Sequence, residues 1–127
     1  MKNLLCALSL SLLALPILAN GHGVERGSVK KAMDSFTMSE KTKAFISQAV
    51  HESCEVNNAQ KITAVSQLRE ETLDQGQTDL YFTVTLNVYF ENKAEPTVIR
   101  VEAAEYAISN PSVENVSVLS INSSICR

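Results

Sequence analysis

Between Leu80 and Phe90 the chain alternates without a break. Leu80, Phe82, Val84, Leu86, Val88 and Phe90 are apolar, and Tyr81, Thr83, Thr85, Asn87 and Tyr89 stand between them. Successive side chains of a strand point to opposite faces, so a strict period of two over this length specifies a long strand buried on one face only. A half-buried strand of that kind belongs in an antiparallel sheet. The rest of the chain must supply partners for its two edges and a cover for its apolar face.

The flanking segments supply both. Residues 61–73 carry Ile62, Val65, Leu68 and Leu73, a spacing that suits a helix ending at Gly76. It also suits a strand joined to the next one by an Asp74-Gln75-Gly76-Gln77 hairpin, with glycine at the positive-φ position. The strand that follows needs a partner of similar length, which favours the second option. Asn92 to Pro96 reads as a turn. Thr97 to Ile108 reads as a third strand, with Ile99, Val101, Ala103 and Ala107 on one face. Glu105 interrupts that face and predicts a bulge or an exposed end there. Asn110-Pro111 is the next turn, and Val113 to Ile125 is a fourth strand. Upstream, Thr37-Met38-Ser39-Glu40 fits a capping box, and a helix should follow it. Phe45, Ile46, Ala49, Val50 and Cys54 share one face of that helix, and Asn57-Asn58 ends it. The expected fold class is α+β: one long helix packed on a four-stranded antiparallel meander.

Residues 1–19 stand apart. Lys2 precedes an uncharged run from Leu4 to Leu15, and Pro16-Ile17-Leu18-Ala19 follows. This is the pattern of a secretory signal peptide, with cleavage after Ala19 or Gly21. Residues 20–36 hold three of the four glycines and read as a flexible N-terminal segment, although Val29, Met33 and Phe36 recur at helical spacing. The domain proper is expected over 37–127, secreted or periplasmic and not embedded in a membrane. Cys6 leaves with the signal, so Cys54 and Cys126 remain as an even pair in an exported chain and read as a disulfide. The loop between them is roughly seventy residues, which the chain-entropy model values at about 4 kcal/mol.

Candidate chemistry is sparse. The pI near 5.3 argues against a nucleic-acid binder, which usually carries a basic stripe. His51 and Glu55 lie four apart and read as a solvated helix pair. Glu70, Glu71, Asp74 and Asp79 read as a solubilising turn rather than a pair of acid–base carboxylates. No metal site or cofactor is expected. Cleavage after Ala19 would begin the chain Asn20-Gly21-His22, a set that can wrap Cu(II) or Ni(II) in a square plane; accident is the ordinary reading. Tyr81 and Tyr89, on the polar face of the alternating strand, suit either a binding surface or cross-strand pairing.

The element order resembles the cystatin-like fold, in which a long antiparallel sheet wraps one helix. Ala49-Val50-His51-Glu52 is similar to the Ala-Val-x-Glu of the cystatin helix. Gly76 followed by Tyr81-Phe82-Thr83-Val84-Thr85-Leu86 is similar to the first inhibitory hairpin and the strand leaving it. Asn110-Pro111 falls where cystatins place a Pro-Trp turn. The resemblance covers roughly residues 37–125. It implies a non-catalytic module that binds a protein partner through hairpin tips, here Asp74, Gln75, Gly76 and Gln77 and then Asn110, Pro111, Ser112 and Val113. The cystatin Gln-x-Val-x-Gly corresponds to Thr72-Leu73-Asp74-Gln75-Gly76, where only the glycine matches, and no tryptophan is present. Two other functions fit the same architecture: a small-ligand carrier using the concave sheet, and a small enzyme of the nuclear-transport-factor-like type. A pocket of several hundred cubic ångströms with inward polar groups would favour those two, and a filled core the binding module.

Overall fold

A computed structural model describes residues 28–107 and 115–127. The signal segment, His22 and Asn110–Val113 lie outside the described residues. The elements run α1 (Ser28–Ala32), α2 (Glu40–Ser53), β1 (Lys61–Asp74), β2 (Gln77–Tyr89), β3 (Thr97–Glu105) and β4 (Val116–Asn122). The four strands form one antiparallel sheet in the order β1-β2-β3-β4. The meander and the α+β class are therefore as the residue pattern implies, with β1 a strand rather than a helix.

Alternation decides the burial of β2. Phe82, Val84, Leu86 and Val88 are buried, and the residues between them are half-exposed. Ile99, Val101 and Ala103 continue the same layer on β3. Over it sit Ile46 and Val50 of α2 and Val29 and Met33 of the preceding segment, all fully buried. Each such side chain removed from water contributes about 1.5–3 kcal/mol before chain entropy is set against it.

The helical layer departs from expectation in three ways. Among the described residues it has two helices, because α1 lies against α2 and β1 while α2 covers β3 and β4. Helix α2 has only 14 residues, about 21 Å. Its inward face is also turned: Thr42, Lys43, Ile46, Ser47 and Val50 are buried, while Phe45 and Ala49 are half-exposed. On the Lys43 flank α2 meets the α1 segment, where Lys43 Nζ donates to Asp34 O at 3.2 Å. Residues 28–36 therefore belong to the packed layer rather than to a loose tail, and the core begins at Val29.

The helix starts later than its capping box suggests. Ser39 is the N-cap, and its hydroxyl accepts from the Thr42 amide at 3.1 Å. Thr37 is bound elsewhere: the Gln67 side chain accepts from its N–H at 2.9 Å and donates to its C=O at 2.8 Å. A bulge makes this possible. The β1–β2 register shifts between Ala64 and Ser66, leaving Val65 as the extra residue. Past that point Gln67 and Arg69 stand opposite the core residues Val84 and Phe82. Val65 and Leu68 are thereby exposed. The β3–β4 register shifts between Glu102 and Ala103, where Leu119 of β4 is the extra residue; Glu105 is no bulge but the last residue of β3. Glu105 keeps its inward place because the Thr42 hydroxyl donates to it at 2.9 Å.

The Cys54–Cys126 disulfide is present, spanning 72 positions. Arg127 N donates to Ser53 O at 2.9 Å and Glu55 N to Ile125 O at 2.8 Å. The two cysteines are thus the facing, non-hydrogen-bonded residues of a short antiparallel bridge, the position where cross-strand side chains lie closest.

Candidate functional site

β1 and β2 outrun the helix. Fourteen residues of β1 extend roughly 47 Å, about twice the length of α2. The excess projects from the end of the sheet where the α2 N-terminus lies. Its turn is Gln75-Gly76, with φ +53° and +80°. Two consecutive positive-φ residues between paired strands make a type I′ turn, whose twist matches the flanking strands. Space around Gly76 is open, so only its backbone conformation demands glycine there. Leu73, Gln75, Gly76 and Gln77 are exposed; the Asp74 side chain lies outside the described residues.

The segment leaving β3 rises at the same end. Asp79 Oδ1 accepts from the Ala107 amide at 2.9 Å, tying the start of the β3–β4 connection to the root of the hairpin. Tyr106 N donates to Asn115 O at 2.7 Å, closing the base of that connection. The structure thus brings the 74–77 turn to the same end as the base of the connection that contains Asn110, Pro111, Ser112 and Val113. The Phe36–Ser39 stretch, clamped by Gln67, lies further down the hairpin, beside Arg69, Leu80 and Phe82. Sequence reasoning missed this third strip, because a glutamine reaching back thirty positions has no periodicity.

Charge at this end is organised by a small network. Lys30 Nζ meets Glu40 Oε1 at 2.6 Å, and Lys43 Nζ meets Glu40 Oε2 at 3.3 Å. Lys43 Nζ also donates to Asp34 O at 3.2 Å. The Lys30 hydrogen bond, then that of Lys43, holds the Glu40 carboxyl below its ordinary value; the same contact raises Lys30. The network pins the α1 segment to the first turn of α2, where a carboxylate also suits the helix dipole.

The tyrosines divide. Tyr81 meets Tyr106 edge to face at 6.3 Å between centroids. Ala104, opposite Tyr81 and two residues before Tyr106, is fully buried although it faces outward. Tyr89 faces Lys61 in register, with the ammonium 4.9 Å from the ring centroid, so its role is cross-strand pairing.

At the other end, a polar groove of about 1020 Å³ runs beside the disulfide, lined among others by His51, Glu55, Phe90, Lys93 and Arg127. It lies away from the buried core layer between the helices and the sheet. Among the described residues no group of three or more His, Cys, Asp or Glu is placed to hold a metal ion, and no helix is long and apolar enough to cross a membrane. Compared with known proteins, the chain matches no family model, no curated protein and no solved structure.

Proposed function

We propose that this chain is an exported, non-catalytic, inhibitor-like protein-binding module of cystatin-like architecture. It contacts its partner with the 74–77 turn and the neighbouring connection through Asn110–Val113. The observation that carries this reading is the hairpin overhang: a tight turn on paired strands, beyond the helix, with the next connection tied to its root through Asp79 and Ala107. A tight turn between paired strands has little backbone freedom to lose, which lowers the entropy cost of association. Beneath the two helices the inner face of the sheet is packed with core side chains, which supports binding over carrier and enzyme readings that would use that space. Export is supported by the signal pattern of residues 1–19 and by a disulfide that suits an oxidising compartment.

The test is photo-crosslinking in the source organism's own envelope or medium. A benzophenone amino acid at Gln75 should capture a discrete protein partner. The same group at Asn92, in the turn at the opposite end, should not. Equal capture at both, or none at Gln75, defeats the proposal.

A further inference from the structure

β1 and β4 are the edges of the sheet, and they differ in how they are protected. β1 carries the Val65 bulge, the charges of Arg69, Glu70 and Glu71, and Thr37 clamped alongside by Gln67. Bulges and charged side chains are the ordinary guards of an edge strand. β4 has no charged residue and no proline, and its extra residue, Leu119, comes only after three regular ones. Asn115 turns its carbonyl toward Tyr106. Backbone groups alternate sides along an antiparallel strand, so Ser117 also faces β3, while Val116 and Val118 present their N–H and C=O groups to the open side.

Helix α2 leaves apolar surface over the same edge. Phe45 and Ala49 are half-exposed on its β4 flank. With Val116 and Val118 they border a shallow hollow of about 280 Å³.

We propose that this edge pairs with the β4 edge of a second copy of the chain, antiparallel about a two-fold axis through Ser117. An axis normal to the sheet keeps each face on its own side. Val116 then meets Val118 of the second copy on the inner face, and Ser117 meets Ser117 on the outer one. Both valine pairs have their backbone groups turned toward each other, which makes about four hydrogen bonds. The patch is thus complementary to itself, as a two-fold interface requires. Because α2 lies over β3 and β4, the axis sets the two α2 helices about 10 Å apart, two strand spacings and the distance at which helices pack. They run antiparallel, so Phe45 and Ala49 of each copy close against the other helix. The charges match as well. Lys41 lies on the Asn115 side of the axis, donating to that residue at 3.3 Å, and Glu52 lies beyond the axis at the far side of the hollow. The axis therefore brings Lys41 of each copy to Glu52 of the other. It also turns the copies end for end, so the two 74–77 turns point away from each other and stay uncovered. Pairing of this kind is independent of what the turn binds.

The test is sedimentation velocity of the exported protein over a concentration series. A monomer–dimer equilibrium should appear, with a Kd on the order of 10 μM. Ser117 is half-exposed and stands off the core, so Ser117→Glu and Ser117→Lys should each leave the Tm near that of wild type. Either one alone sets like charges directly across the axis and should weaken the dimer roughly tenfold at low salt. An equimolar mixture of the two variants should restore it, because opposite charges then face each other. Leu68→Glu, at an exposed position of the guarded edge, should change nothing. A monomer at every concentration, a dimer indifferent to both Ser117 variants, a loss that the mixture does not rescue, or a loss on Leu68→Glu overturns the inference.

Discussion

Gln67 shows how one side chain can stand in for a strand. Its amide offers Thr37 an acceptor and a donor at once, the pairing that a neighbouring backbone would give. Gln67→Ala leaves both groups to water at a partly open site and should cost about 1–2 kcal/mol, near two ordinary hydrogen bonds. Gln67→Glu keeps the acceptor but turns the donor into a second acceptor facing the Thr37 carbonyl, and should be no better than alanine. Urea midpoints at unchanged m-value will read both. Glu40 makes a different prediction. Its folded carboxyl sits below its ordinary value because Lys30 and Lys43 favour the charged form. Its stabilisation is therefore complete above the unfolded value near about 4.3 and is lost as pH falls through the lower folded value. Lys30, raised by the same contact, keeps its share below about pH 10.4 and loses it as pH climbs through its raised value. The Tm difference between wild type and Glu40→Gln should be small at pH 7 and should close in acid; a gap that widens in acid would contradict the sign.

At the scale of elements, β2 is the test of the core. Phe82→Ala should cost about 3–5 kcal/mol and Leu86→Ala about 2–5 kcal/mol through lost burial and cavity formation. Thr85→Ala, on the half-exposed face, should stay near the surface range of about 0.5 kcal/mol. Comparable losses at Thr85 and Leu86 would show the strand to be buried on both faces. The hairpin predicts weak inhibition of papain-type proteases, micromolar at best. Asp74 would bring a charge into a largely apolar cleft, and the chain has no tryptophan to serve as a second anchor. Asp74→Val should strengthen any residual inhibition in a titration, and nanomolar inhibition by the unaltered chain would refute the expectation.

The elements differ in how legibly they were written. The period of β2 left one option, and the Gln75-Gly76 turn then aligned β1 with it. The bulge at Val65 was illegible, since Ile62, Val65 and Leu68 mimic a helical stripe and only the pairing reveals the slip. The inward face of α2 is illegible for a related reason: Lys43 and Ser47 are buried although polar, so apolar periodicity does not mark the face they share. The 74–77 turn could be foreseen from local chemistry. The clamp of Gln67 on Thr37 could not, because those two residues meet only through the tertiary fold.

For the molecule as a whole, the disulfide is the largest single covalent constraint. Non-reducing mass spectrometry of the exported protein should find Cys54 and Cys126 in one linked fragment and no alkylatable thiol. Replacing both cysteines by alanine should cost about 2–5 kcal/mol.

Because that bond joins the end of α2 to the residue four places beyond β4, every strand lies on a closed covalent ring, and both helices hang from it as a tail. A protease that bites the exposed 74–77 turn would therefore open the ring without severing the molecule. The nicked protein should migrate as one band without reductant and as two with it. Anything gripping the tip could cut it and still hold both halves.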